Sequence, residues 1–254
     1  MTLPLAGRTV LVTRPAEQSA VLAAAIRAAG GEAVVFPALA VEAVPADALQ
    51  GQAATLAAAD GILFISPNAA RYGLAAFGRL PAEARVFAVG PGTARALQEA
   101  GVTRVIVPAG QDTEALLALP QLAAVAGQRF AIVRGVGGRP VLGDTLAARG
   151  AQVDYIECYR RVRPAADAAP LLARWRGGGI DAVTVASAET LENLAAMLGE
   201  DGAALLAATP LFAPHEKIAV SARRFGIAQA IATPGGDAGL VDGMIHWFNS
   251  RTER

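Results

Sequence analysis

The side chains of this 254-residue chain that could do chemistry are hydrogen-bond donors more than acids or bases, and they recur at one kind of place. Arg14 stands in Thr13-Arg14-Pro15, directly after the apolar run VLV. Ser66-Pro67-Asn68 follows GILFI, and Gly90-Pro91-Gly92-Thr93 follows RVFAV. A glycine-rich turn, Arg134-Gly135-Val136-Gly137-Gly138-Arg139, follows FAIV. Ser187 follows AVTVA, and Gly235-Gly236-Asp237 opens the last helical stretch. Serine followed by proline is a strong helix start, and a helix start presents unpaired N–H groups that favour anions. Ser66 and Ser187 read first as caps and second as ligand contacts. Gly92, Gly135 and Gly138 serve turn geometry on the plainer reading. Arg14 and Arg134 sit where strands end rather than on outer helix faces, so a ligand role and a structural role stand about even. Many anion-friendly helix starts with few acids or bases describe a receptor for a polyanion, not a site built around a nucleophile.

The absences narrow the chemistry. Pro140 occupies the place of the last glycine in a would-be G-x-G-x-x-G, so the dinucleotide fingerprint fails. Lys217 follows Glu216 with no glycine pattern before it, so it is no phosphate-loop lysine. There is no G-x-S-x-G elbow, and neither Ser66 nor Ser187 has an evident histidine partner. His215 and His246 read as structural or solvent-facing. One cysteine, Cys158, allows no internal disulfide, and with two histidines it makes no obvious zinc set, so no metal is expected. The formal net charge is zero, which removes the footprint of a nucleic-acid binder. The run Arg160-Arg161-Val162-Arg163 reads as a solvated face. Lys217 is the only lysine, so the cations are almost all arginine. Codon bias explains that first, and bidentate contacts to carboxylates or phosphates second. Pro120 and Pro210 interrupt the longest apolar stretches below membrane-spanning length, and MTLPLAGRTVLVTRP lacks a leader pattern. A cytoplasmic location with no membrane partner is the expectation.

The elements that must carry these residues alternate. Short β-branched strands are expected at Arg8–Thr13, Ala33–Phe36, Gly61–Ile65, Arg85–Val89, Arg104–Val107, Phe130–Val133, Ala151–Val162, Asp181–Val185, Leu211–Ala213 and Gln229–Ile231. Helices fill the gaps, the first over Ala16–Ala29 with Val21, Leu22, Ala25 and Ile26 at helical spacing. This is the pattern of an α/β fold with parallel sheets. DGILFISPNAARYGL (60–74) echoes DAVTVASAETLENL (181–194), which suggests two similar halves. Only two strands precede Pro37, so a first domain would be incomplete unless the chain returned to it after Val162.

The segments VLVTRP, LFISPNAA, AVGPGTARALQEAG, the RG-x-GGR loop, YIECYRRV and LFAPHEKIAVSARRFGI, in this order, resemble the uroporphyrinogen-III synthase family. The resemblance spans essentially the whole chain. It implies two similar doubly wound parallel-sheet domains joined by a two-stranded linker, one domain being discontinuous. The domains would be 1–37 with 162–254, and 41–157, with linker strands near 38–41 and 157–162. It implies a monomeric lyase that cyclises hydroxymethylbilane, a linear tetrapyrrole with eight carboxylates, in a cleft between the domains. Water is lost and the last pyrrole is inverted, and no cofactor is needed. Tyr159 matches the family's tyrosine near that cleft and is the best acid. Arg14, Ser66, Asn68, Thr93 and Arg134 match positions facing the substrate, with Ser187 and Ser221 as their counterparts. VASAET and VSARRFG depart from the commonest pattern, which weakens the contacts of the second half. A transient contact with the preceding pathway enzyme is a further implication. Two other readings compete: a ligand-binding module without catalysis, and a degenerate homologue acting as a scaffold.

Overall fold

A computed structural model describes residues 3–252. Among them the strands are β1 (Thr9–Val12), β2 (Glu32–Val35), β3 (Ala40–Ala43), β4 (Gly61–Phe64), β5 (Arg85–Ala88), β6 (Val105–Ile106), β7 (Arg129–Gly135), β8 (Gln152–Val162), β9 (Ala182–Thr184), β10 (Leu211–Ala213) and β11 (Ala230–Ala232). The helices are α1 (Ala16–Ala28), α2 (Ala46–Leu49), α3 (Gln52–Ala57), α4 (Pro67–Phe77), α5 (Pro91–Glu99), α6 (Thr113–Leu117), α7 (Val141–Ala148), α8 (Ala169–Arg176), α9 (Ala188–Ala208), α10 (Glu216–Phe225) and α11 (Gly236–Thr252). Each expected strand is present, displaced by a residue or two at its ends. The chain divides into two compact units, residues 3–40 with 162–252 and residues 41–161, and it crosses between them within β3 and at the end of β8. No helix among the described residues is long and apolar enough to cross a membrane.

The first unit holds a sheet in the order β11-β10-β9-β1-β2, with β1 parallel to β2 and β9, and β10 parallel to β9 and β11. Successive strand residues point to opposite faces, and the burial follows that period. Val10, Val12, Ala182 and Phe212 pack with Leu22, Ile26, Leu240 and Met244 of α1 and α11. Leu11, Val183, Leu211 and Ala213 pack with Leu171, Trp175, Leu191, Leu194 and Ala219 of α8, α9 and α10. Both faces are covered by helices, which is why the strands read as continuous apolar runs rather than alternating ones.

The second unit holds the order β3-β8-β7-β4-β5-β6, with β4, β5, β6, β7 and β8 paired in parallel. Ile62, Phe64, Val86, Ala131 and Val133 meet α4 and α5 on one face. Leu63, Phe87, Phe130 and Ile132 meet Leu116, Leu142 and Leu146 of α6 and α7 on the other. Gly73 lets α4 sit close on the sheet, because a Cβ there would lie 2.8 Å from Val133 Cγ1.

Each sheet reverses its winding once. In the first unit the chain goes from β1 to β2 on one side and returns to β9 on the other. In the second it goes from β4 to β5 and β6, then returns to β7. Beyond the carboxyl ends of β1 and β9, and of β4 and β7, the connections lead off to opposite sides, and the crevice expected at such a switch point is the usual ligand position of parallel sheets. The sequence echo has a structural cause. Asp60 Oδ2 accepts the Arg129 N–H at 2.7 Å, and Asp181 Oδ2 accepts the Thr9 N–H at 2.8 Å. Each aspartate thereby ties the start of β4 or β9 to the start of the neighbouring strand, at the end of the sheet opposite the crevice. Each strand then ends at a serine capping the next helix.

Two consequences are measurable. Burial pushes the Cys158 thiol up to about 12, so at pH 8 only about one part in 10⁴ is the reactive thiolate. A disulfide reagent such as dithiobis(nitrobenzoate) should leave the native protein unlabelled at pH 8 and titrate one thiol after denaturation; rapid native labelling would contradict the buried placement. Gly73→Ala should destabilise by about 1–3 kcal/mol, the usual cost of overpacking a tight core. Urea titration measures this, and an unchanged midpoint would mean the helix shifts freely.

Candidate active site

At the crevice of the second unit the side chains converge on Tyr159. Ser66, the N-cap of α4, accepts the Ala69 N–H at 2.9 Å through its Oγ, with Pro67 in the first turn as its sequence implies. The same Oγ lies 3.0 Å from the Tyr159 hydroxyl. Tyr159 is 4% exposed. Its ring stacks on Tyr72 of α4, with centroids 5.8 Å apart and planes 28° apart. Tyr72 is in turn tied to β3, its hydroxyl donating to the Val41 carbonyl at 2.8 Å. On the other side of Tyr159 lies Gly135, where a Cβ would come within 2.6 Å of the ring. Register shifts between Arg134 and Gly135, so that Gly135 comes opposite Tyr159. Glycine at that point is what lets the phenol lie against the backbone. Asn68, in the first turn of α4, is half-buried.

Arg134 leaves β7 on the other side of this crevice. Its Nη2 meets Glu157 Oε1 at 2.9 Å, Nη1 donates to the Gly138 carbonyl at 2.9 Å, and the guanidinium lies 3.8 Å from the Tyr155 ring centroid. The Gly137 N–H also donates to Glu157 Oε1, at 3.3 Å. The arginine therefore folds its own glycine-rich turn around a carboxylate. Arg139, at the tip of that turn, is exposed.

The crevice of the first unit repeats this arrangement with different partners. Arg14 follows β1 and pairs with Asp237 at the start of α11. Ser19 holds the loop by donating to the Arg14 and Pro15 carbonyls at 3.1 Å. Across from it Ser187 caps α9, accepting the Thr190 N–H at 3.1 Å and lying 2.9 Å from Thr190 Oγ1. Register makes the correspondence explicit. Gly61 pairs with Phe130 as Ala182 pairs with Val10, so Arg134 and Arg14 occupy equivalent places, as do Ser66 and Ser187.

The structure thus brings Ser66, Asn68, Arg134 and Tyr159 to one crevice and Arg14 and Ser187 to the other. Two further residues lie differently. Thr93 is in the first turn of α5, but its side chain is buried, 2% exposed. Ser221 lies in the middle of α10, with its hydroxyl donating to the Lys217 carbonyl at 3.1 Å, not at a strand exit. The similarity of LFAPHEKIAVSARRFGI to its family carried no information on that register. Sequence reasoning did not single out Tyr72 or Glu157. Tyr72 lies one and a half turns beyond Ser66 on α4 and becomes relevant only when β8 is laid beside β7. Glu157 shares a face of β8 with Tyr155, a period-2 pattern present in the sequence, whereas the register shift at Gly135 turns Tyr159 to the opposite face with Ile156 and Cys158.

The family model described as uroporphyrinogen-III synthase HemD matches residues 20–241. The chain is similar to the uroporphyrinogen-III synthase of Salmonella typhimurium, 36% identical over 192 residues that make up 73% of this chain and 78% of that one. It is also similar to that of Escherichia coli, 35% identical over 197 residues, with the same two coverages of 73% and 78%. A solved mutant uroporphyrinogen III synthase of Thermus thermophilus aligns with a TM-score of 0.62 at 23% identity, covering 98% of this chain and 100% of that one. The uroporphyrinogen-III synthetase of Helicobacter pylori aligns with a TM-score of 0.60 at 12% identity, covering 94% and 99%. At those identities the two structures speak for the fold, two α/β units with parallel sheets, while the sequence matches speak for descent. The chain belongs to the uroporphyrinogen-III synthase family.

Proposed function

We propose that this protein is a cyclising lyase that converts hydroxymethylbilane to uroporphyrinogen III, with loss of water and inversion of the last pyrrole. The observation that carries this reading is the family match over residues 20–241. The chemistry agrees with it. Departure of the terminal hydroxyl leaves an electron-poor azafulvene, and the ring then closes through a spiro intermediate. Such a reaction needs a proton for the leaving hydroxyl and a surface that holds a polycarboxylate in one arrangement. A placed general acid contributes about 10²–10⁴-fold, and orientation can contribute more.

In this reading Tyr159 supplies the proton. Arg14, Ser66, Asn68, Arg134 and Ser187 line the two crevices and meet the substrate's carboxylates with guanidinium groups and helix N-termini. Arg134 contributes chiefly by ordering its turn, since Glu157 already holds its guanidinium. Thr93 and Ser221 take no direct part, the first being buried and the second lying within α10.

The test is the isomer formed. Purified protein incubated with freshly generated hydroxymethylbilane, followed by oxidation and separation of the porphyrins, should give the type III product. Type I alone, the spontaneous product, would overturn the assignment and favour the non-catalytic readings. Tyr159→Phe should lower kcat by about 10²-fold or more, on the scale of a lost general acid, with the circular dichroism spectrum unchanged. A full rate in that variant would remove Tyr159 from the chemistry.

A further inference from the structure

We infer that Ser66, not Tyr159, is the group that hands the proton to the departing hydroxyl, and that Tyr159 feeds it from behind. The inference rests on the synthase reading above and concerns the route of the proton within the second unit.

Tyr159 is 4% exposed and clasped between the Tyr72 ring and the backbone at Gly135. Among the described residues, the hydrogen-bond partner of its hydroxyl is Ser66. That bond can run either way, and the surroundings decide. If Ser66 donated, the phenolic hydrogen of this 4%-exposed residue would have no acceptor among the described residues, and polar groups so placed are rarely left unpaired. Tyr159 therefore donates. Ser66 Oγ then accepts twice, from the phenol and from the Ala69 N–H at 2.9 Å. Its own hydrogen is left for an acceptor at the crevice, where Ser66 is half-buried. The two accepted bonds, one from the positive end of α4, stabilise negative charge growing on Oγ as that hydrogen leaves.

A plain helix cap does not need such a partner. Ser187 occupies the equivalent place in the first unit, and its second contact is Thr190 of the helix that it caps. Among the described residues, a phenol stands behind the cap at the second unit's crevice and not at the first's.

The step balances as follows. The Ser66 Oγ–H bond breaks as its proton bonds to the substrate's hydroxyl oxygen. The C–O bond breaks and water departs with the bonding pair, leaving a cationic azafulvene. Ser66 Oγ takes the Tyr159 proton, so the enzyme's negative charge rests on the phenolate. When the last pyrrole sheds a proton to regain aromaticity, that proton returns along the same path.

Ser66→Asn separates the two roles of the serine, because asparagine caps a helix as well as serine but has no hydroxyl proton. Single-turnover formation of type III product should fall about 10²-fold in both Ser66→Ala and Ser66→Asn. Ser66→Thr should stay within about tenfold of wild type, since it keeps both the cap and the hydroxyl. Adding Tyr159→Phe to Ser66→Asn should slow the reaction no further, as expected for two groups acting as one unit. In mixed H₂O and D₂O the wild-type rate should vary along a curve, reflecting two protons moving together. Ser66→Asn at the wild-type rate, or a straight-line isotope dependence, would overturn the relay while leaving the synthase assignment intact. The second readout needs no variant to fold. Type I product alone from the wild-type protein would overturn both.

Discussion

Parallel pairing of strands is the constraint from which the rest of this molecule follows. A parallel sheet delivers every strand's carboxyl end to one edge and every following helix's N-terminus to the same edge. Unpaired N–H groups and side chains just past the strands are thereby collected without any long-range signal in the chain. In both units, the places where the winding reverses fall between the strands whose exits carry arginine and capping serine.

The two units are the same sheet entered at different points. Across the second unit the order β6-β5-β4-β7-β8 matches β11-β10-β9-β1-β2 of the first. The aspartates Asp60 and Asp181, the serines Ser66 and Ser187, and the arginines Arg134 and Arg14 fall at equivalent register positions. The first unit begins its chain at β1, whose counterpart β7 comes fifth along the chain in the second. This is why it is assembled from two segments and why the echo visible in sequence joins residues 60–74 to residues 181–194.

Equivalence of place has not produced equivalence of chemistry. Both arginines are held by carboxylates, Asp237 and Glu157, from different elements. Pairing compensates the cost of partly burying a guanidinium and fixes its direction, at the expense of net charge offered to a ligand. The larger difference is Tyr159. In the second unit β8 runs on to Val162, and the register shift at Gly135 sets the phenol behind Ser66. In the first, β2 ends at Val35, and past Pro37 the Ala38 N–H still donates to the Thr13 carbonyl at 2.9 Å, but this segment, Phe36-Pro37-Ala38-Leu39, carries no phenol.

The sequence by itself determined what depends on near neighbours. Strand and helix order followed from short apolar runs such as VLV, ILF and FAIV. The caps at Ser66 and Ser187 followed from serine at a strand exit, because an N-cap satisfies an amide only three residues away. Tertiary structure alone decided which exits share a crevice, since that depends on strand order and not on spacing. It also decided the fate of side chains that local pattern could not place. Thr93 turned inward, Ser221 folded back onto its own helix, and Arg134 closed on Glu157 rather than facing outward. Each depends on a neighbour supplied by another element or by the exact register of a helix, and periodicity within one segment carries no record of either.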